Sequence, residues 1–192
     1  RFRVAIIGKP NVGKSSLLNG LLAYERAIVS DIAGTTRDTI EEQVRIGSHI
    51  IRLIDTAGIR DARDSIEKIG VERSLESVAE ADVVIALFDS SRPFDEEDAK
   101  ILEILESTKN KEIIVALNKS DLENSFDLEK LKRYHPIEVS AKHNFKNLTE
   151  KLESLFDNIG QDEELMLISA RQIDAVLKTK QAIMEAKEPL LK

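Results

Sequence analysis

One segment constrains this chain more than any other: Gly8-Lys9-Pro10-Asn11-Val12-Gly13-Lys14-Ser15. Two glycines with four residues between them are followed at once by Lys and Ser. The apolar run Phe2–Ile7 precedes the segment, and the amphipathic stretch Lys14–Leu22 follows it. Strand, glycine-rich loop and helix in that order make a phosphate cradle. The glycines let backbone N–H groups turn inward, and the helix N-terminus adds its dipole. In such a loop Lys14 reaches the β- and γ-phosphates and the Ser15 hydroxyl ligates Mg²⁺. A chance match in a chain of this length is on the order of one per cent at average residue usage. An ordinary glycine turn is the alternative, and the flanking strand and helix argue against it.

The remaining pattern fits the fold that such a loop needs. Phe2–Ile7, Ile50–Ile54, Val83–Phe88 and Ile113–Leu117 are short, apolar, rich in Val and Ile, and bounded by Gly, Asp or Asn. They read as buried strands of a mostly parallel sheet. Gln43–Ile46, Gly47-Ser48 and His49–Leu53 read as a hairpin that places one antiparallel strand at the edge. Ile137–Val139 is a last short strand. Helices are expected at Lys14–Leu22, Ile69–Ala79, Glu96–Glu106 and Leu148–Phe156. In the third, Ile101, Leu102 and Leu105 mark the buried stripe, with Ala99 beside it. The expectation is therefore an α/β fold: a six-stranded, mostly parallel sheet with one antiparallel edge strand, helices on both faces and a helical C-terminal extension. Gly160, inside a polar stretch, is read as a helix stop. It divides a nucleotide-binding domain (1–160) from a helical segment (161–192), where Ile173, Val176, Leu177, Ile183 and Met184 lie on one face.

Two further motifs sit at strand ends. Asp55-Thr56-Ala57-Gly58 closes the third strand; Asp55 can hold Mg²⁺ through water, and Gly58 leaves room for its N–H to approach a γ-phosphate. Asn118-Lys119-Ser120-Asp121 ends a later strand. The Asp121 carboxylate can accept from guanine N1–H and the 2-amino group, donors that adenine lacks. Mismatches of that kind discriminate by roughly 10⁴–10⁵. Asn118 would brace the loops, and the Lys119 stem would lie over the purine. Ser140-Ala141-Lys142 offers a backbone N–H to guanine O6.

In this order the motifs resemble those of the translation-factor-related GTPases. Gly34-Thr35-Thr36-Arg37-Asp38, Asp55–Arg60 and Ile66–Ser74 narrow the likeness to the G domain of the MnmE/TrmE family of tRNA wobble-uridine modification GTPases. Ser169-Ala170-Arg171-Gln172 resembles the start of that family's second helical segment, with Ala170 where Asn is usual. The resemblance implies a P-loop GTPase fold and a GTP hydrolase that uses Mg²⁺ and K⁺. Nucleotide contacts would come from Asn11-Val12-Gly13-Lys14-Ser15-Ser16, from Ser30-Asp31-Ile32-Ala33-Gly34-Thr35-Thr36, from Asp55-Thr56-Ala57-Gly58, and from the two base loops. Thr36 would join Ser15 on Mg²⁺, and K⁺ would sit on Asn11, Ser30, Ile32 and Thr35. Lys14 and Thr36 would act in catalysis, with Glu67 working through water. The resemblance also implies homodimerisation through the G domains, and tRNA and a modification partner protein bound by parts outside this chain. A GTP-gated RNA or ribosome-assembly switch is the alternative use of the same motifs.

The residues themselves agree on one negative point. Ras-like enzymes place Gln just after Asp-x-x-Gly to orient water, and this chain has Ile59 there. Asp61, Asp64 and Glu67 are the nearby carboxylates, and spacing alone does not choose among them. Arg60 and Arg63 read as solvated switch residues rather than arginine fingers.

Composition limits the partners. With 28 Lys and Arg against 35 Asp and Glu, the net charge is −7, and aromatics are 4% with no Trp. Neither a phosphate-backbone surface nor a base-stacking platform is expected. The absence of Cys excludes disulfides and thiolate metal sites. No apolar run approaches the roughly 20 residues of a membrane span. The chain opens Arg1-Phe2-Arg3-Val4 into a strand, so no leader is expected and the compartment reads as cytoplasmic. Asp121→Asn should exchange the carboxylate acceptor for an amide and shift preference from guanine to xanthine nucleotides. Calorimetric titration with GDP and xanthosine diphosphate checks this.

Overall fold

The computed structural model describes residues 2–24, 42–61 and 70–187. The chain divides into two compact units, Arg1–Glu153 and Ser154–Lys192.

The first unit is built on a six-stranded sheet of order β2-β3-β1-β4-β5-β6. Its strands are β1 (Phe2–Ile7), β2 (Glu42–Ile46), β3 (His49–Leu53), β4 (Val83–Asp89), β5 (Glu112–Asn118) and β6 (Ile137–Glu138). β1 lies parallel to both β3 and β4, β4 to β5, and β5 to β6; β2 alone is antiparallel, paired to β3. The expected hairpin forms as read, with Gly47 at φ 60° in the two-residue turn, where a Gly-first turn needs positive φ. All seven residues of β4 are buried, the signature of a central parallel strand covered on both faces. Its side chains feed a core containing Phe88, Ile101, Leu105, Leu117 and Leu131.

Helices α1 (Lys14–Tyr24), α2 (Thr56–Asp61), α3 (Val71–Glu80), α4 (Glu96–Ser107) and α5 (Lys146–Lys187) complete the described elements, with a 3₁₀ turn at Leu128–Tyr134. α1 buries Leu17, Leu18 and Leu21. α4 differs from the reading of its stripe. Ile101 and Leu105 are buried as expected, but Ile104 and Asp98 join them and Ala99 faces solvent. A carboxylate one turn before Ile101 reads as a solvent position by hydropathy. It is buried here because a lysine from the phosphate loop meets it.

The segment after Asp55 also differs. No helix is expected there, and residues Thr56–Asp61 form the short helix α2. In α5 the expected stop at Gly160 is absent: 42 residues run as one helix. A glycine inside a helix costs about 1 kcal/mol relative to Ala, and it ends one only by taking positive φ as a C-cap. Gly160 does not take it. In the first unit α5 buries Leu148 and Leu152. In the second, Ile173, Val176, Leu177, Ile183 and Met184 are exposed. Among the described residues no helix is long and apolar enough to cross a membrane.

The consequence for the site is topological. β1 is flanked by β3 on one side and β4 on the other, so the loops leaving them diverge. A crevice outside the carboxyl ends of parallel strands is where such sheets bind ligands.

Candidate nucleotide site

The loop after β1 carries two residues at positive φ, Asn11 at 65° and Gly13 at 107°. A Cβ on Gly13 would lie 2.1 Å from Asn118 Nδ2, so glycine is required by contact as well as by φ. That close approach serves a purpose. Asn118 Nδ2 donates to the Val12 carbonyl at 2.7 Å, while its Oδ1 accepts from the Ala141 N–H at 2.8 Å. One buried amide thereby ties the phosphate loop, the end of β5 and the loop after β6 together. The Asn118 backbone carbonyl accepts from the Ser90 N–H and hydroxyl at 3.0 and 2.7 Å.

The base-side residues gather around it. Lys119, at φ 62°, donates to the Asn11 carbonyl at 3.1 Å and to Asp89 Oδ2 at 2.7 Å. Asp89 is buried, and its other oxygen accepts from the Ser91 N–H and hydroxyl. Burial opposes its ionisation, but the hydrogen bonds from Lys119 and Ser91 outweigh this and hold the carboxyl below its ordinary range. Asp121 Oδ1 accepts from the Ser140 hydroxyl at 3.1 Å. Of the Ser140-Ala141-Lys142 triplet, the first N–H goes to the Asn144 carbonyl and the second to Asn118. The Lys142 N–H is the one without a protein acceptor among the described residues.

On the phosphate side, Lys14 Nζ rests on the loop's own carbonyls, 2.7 Å from Gly8 and 2.8 Å from Lys9. Burial lowers its pKa to about 8, because the charged form is poorly solvated there. Ser16 follows in the first turn of α1, and the Ser15 hydroxyl donates to the Ile59 carbonyl of α2 at 3.1 Å. The Asp55 carboxylate takes two bonds from the Arg73 guanidinium of α3, at 2.6 and 2.7 Å. The Gly58 N–H donates to Asp55. A Cβ there would lie 2.6 Å from the Arg73 guanidinium and 2.7 Å from Asp55 Oδ2. Thr56 is buried and Ala57 exposed. Arg60 pairs with Glu42 at 2.8 Å. Ser15 and Asp55 supply hard oxygen donors, the chemistry that suits Mg²⁺ when phosphates complete its shell.

Ser30, Asp31, Ile32, Ala33, Gly34, Thr35, Thr36, Asp64 and Glu67 lie outside the described residues.

Sequence reasoning missed four groups. Asp89 ends an apolar strand as Asp55 does, a signal that was present but not used. Lys9 and Asp98 form a buried ion pair joined by the exposed Asp95: Lys9 Nζ lies 2.9 Å from Asp95 and 2.8 Å from Asp98. Desolvation disfavours the Lys9 charge, yet its bonds to Asp98 and Asp95 prevail and raise its pKa. Asp98, almost wholly buried, is pushed up by desolvation despite Lys9. Nothing local announces a pairing across 89 residues.

The fold and site define a GTPase of the P-loop class. The family model described as "50S ribosome-binding GTPase" matches residues 3–119, and the chain belongs to that family. Among curated proteins it is 70% identical over 190 residues to the tRNA modification GTPase MnmE of Sulfurovum sp., and 57% identical to that of Nitratiruptor sp.. These alignments cover 99% and 98% of this chain but 42% of each relative, so the chain spans less than half the length of the proteins it matches. The likeness to MnmE read from the motifs therefore extends over nearly the whole chain. Among solved structures, a variant of Aquifex aeolicus Era bound to GDP and AlF₄⁻ aligns at TM-score 0.52 and 27% identity. It covers 81% of this chain and 56% of that one. Elongation factor SelB of Methanococcus maripaludis, with a GTP analogue, aligns at TM-score 0.56 over 82% of this chain and 34% of its own. At 19% identity it shares the fold alone.

The lowered pKa of Lys14 has a measurable consequence. An unfolded lysine keeps its proton to about pH 10, whereas Lys14 in the fold loses it near 8. Between these values the unfolded chain binds more protons, so this group's contribution to stability rises with pH. Urea unfolding from pH 7.5 to 10 should show that rise in the parent and its loss in Lys14→Met.

Proposed function

We propose that this chain is the GTPase portion of a tRNA-modifying enzyme, in which GTP hydrolysis by a switching domain drives chemistry carried out elsewhere in the protein. The observation that carries this reading is the 70% identity to MnmE over 99% of the chain, against 27% to Era. That contrast favours the modification enzyme over a ribosome-assembly switch. In this reading residues 1–160 act as the G domain and 161–192 begin a helical segment. tRNA and a modification partner protein bind through regions outside this chain, and the site of action is cytoplasmic.

The roles follow from chemistry and from the family likeness. The loop N–H groups from Asn11 to Ser16 and the Lys14 ammonium hold the β- and γ-phosphates. Asp121 and the Lys142 N–H read guanine, and Lys119 covers its face. Mg²⁺, when bound, supplies charge neutralisation on the phosphate oxygens; Ser15 and Thr36 would ligate it directly and Asp55 through water. The Arg73 guanidinium must then leave Asp55, which couples α3 to nucleotide state. Ile59 cannot orient water, and Glu67 takes that task through a water network. K⁺ on Asn11, Ser30, Ile32 and Thr35 would do the electrostatic work of an arginine finger. The same loop would meet a second G domain, linking hydrolysis to homodimerisation.

The cation separates this reading from an ordinary switch. GTP turnover should be faster in K⁺ than in Na⁺ at equal ionic strength, and dimerisation with GDP and aluminium fluoride should require K⁺. Asn11→Ala should remove both effects while leaving GDP affinity nearly intact. Equal rates in the two salts, or full K⁺ stimulation in Asn11→Ala, would remove the cation from the mechanism.

A further inference from the structure

The second residue of the phosphate loop, Lys9, has no part in the roles above. Its ammonium does not face the crevice. It is buried to 7% exposure and held between Asp95 at 2.9 Å and Asp98 at 2.8 Å. Those two carboxylates also begin α4. Asp95 is its N-cap, accepting from the Glu97 and Asp98 N–H groups at 3.0 Å, and Asp98 Oδ2 accepts the Asp95 N–H in return. One oxygen of Asp98, Oδ1, is buried with no hydrogen-bond partner among the described residues. A buried Lys9–Asp98 pair with an unsatisfied oxygen is a poor way to gain stability, since well-packed apolar side chains often do as well or better. Its retention points to geometry.

The geometry concerns Lys14. The two acceptors of its Nζ are the carbonyls of Gly8 and Lys9, the peptides on either side of the Lys9 Cα. Clamping the Lys9 side chain to α4 fixes the pitch of those peptides. It thereby fixes the place from which Lys14 meets a phosphate. On the other side of the loop, Asn118 holds the Val12 carbonyl. The loop is thus pinned at both ends by buried groups from different elements.

We propose that Lys9 is a positioning residue for GTP binding and hydrolysis, anchoring the phosphate loop to the N-terminus of α4 so that Lys14 is presented to the β- and γ-phosphates. The inference rests on the reading of Lys14 as the phosphate lysine. It makes the Asp95–Asp98 turn part of the site's support, although neither residue touches nucleotide.

The test uses the full-length protein. Lys9→Met with Asp98→Asn removes both buried charges and keeps an acceptor for the Asp95 N–H. Asp95→Asn keeps a good N-cap and removes one carboxylate from Lys9, so it guards against a double variant that fails to fold. GDP affinity by calorimetry, kcat and KM for GTP, and melting temperature are measured for each. A misplacement near 1 Å can cost about 10²-fold. The double variant should therefore bind GDP about tenfold or more weakly, with a further fall in kcat and little change in melting temperature. Asp95→Asn should show the same losses in smaller measure, and Lys9→Arg should recover to within about threefold of the parent. The proposal is overturned if folded double variant and Asp95→Asn both match the parent within about twofold, or if Lys9→Arg is as impaired as the uncharged variant. It is also overturned if activity falls only in step with the unfolded fraction. Lys14→Ala is the control: unchanged GDP affinity there would sink the phosphate-loop reading itself, a result distinct from failure at Lys9.

Discussion

The side-chain amide of Asn118 is the contact on which the rest of the site depends. It reaches from the end of β5 to the Val12 carbonyl and to the Ala141 N–H. The first belongs to the loop that would hold phosphates and the second to the loop that would read a base. A carboxamide carries its donor and its acceptor on separate atoms at the end of a short stem, so no apolar or purely acidic residue of this size performs the task. The loop pays for the contact with Gly13 at φ 107°, where any Cβ would collide with the amide. Sheet order explains why this reach is short. β4 alone separates β1 from β5, and parallel register brings both strand ends to one edge.

Around that contact the charges are arranged in pairs that hold backbone in place. Lys119 joins Asp89 to the Asn11 carbonyl, Lys9 joins Asp95 and Asp98, and Lys14 lies on two carbonyls of its own loop. In each case an ammonium is positioned before any ligand arrives, which is how a site lowers the reorganisation a reaction would otherwise require. The Arg73–Asp55 pair is different. It lies on a partly exposed edge and engages a carboxylate that Mg²⁺ chemistry would need, so it belongs to the part of the site that must rearrange.

Much of this was legible before the structure. The phosphate loop, the base motif, the strands and the antiparallel edge were readable because apolar runs and glycine spacing are local signals. The hairpin at Gly47-Ser48 was read to the residue. What escaped was long-range or contrary to local rules. Asp98 looks like a solvent position on α4 until Lys9 meets it from another loop. Gly160 looks like a helix stop, yet without positive φ it is only a weak helix residue. Thr56–Asp61 coils into a helix beside the Asp55–Arg73 pair, a long-range contact that a glycine in the sequence does not announce.

The central claim is that one amide couples the two halves of the nucleotide site. Replacing Asn118 with Ala strands a buried acceptor and a buried donor, each costing about 1–3 kcal/mol. GDP affinity measured by calorimetry should then fall by roughly 100-fold, with the sheet intact by circular dichroism. A folded Asn118→Ala protein that binds GDP within a few-fold of the parent would contradict the account.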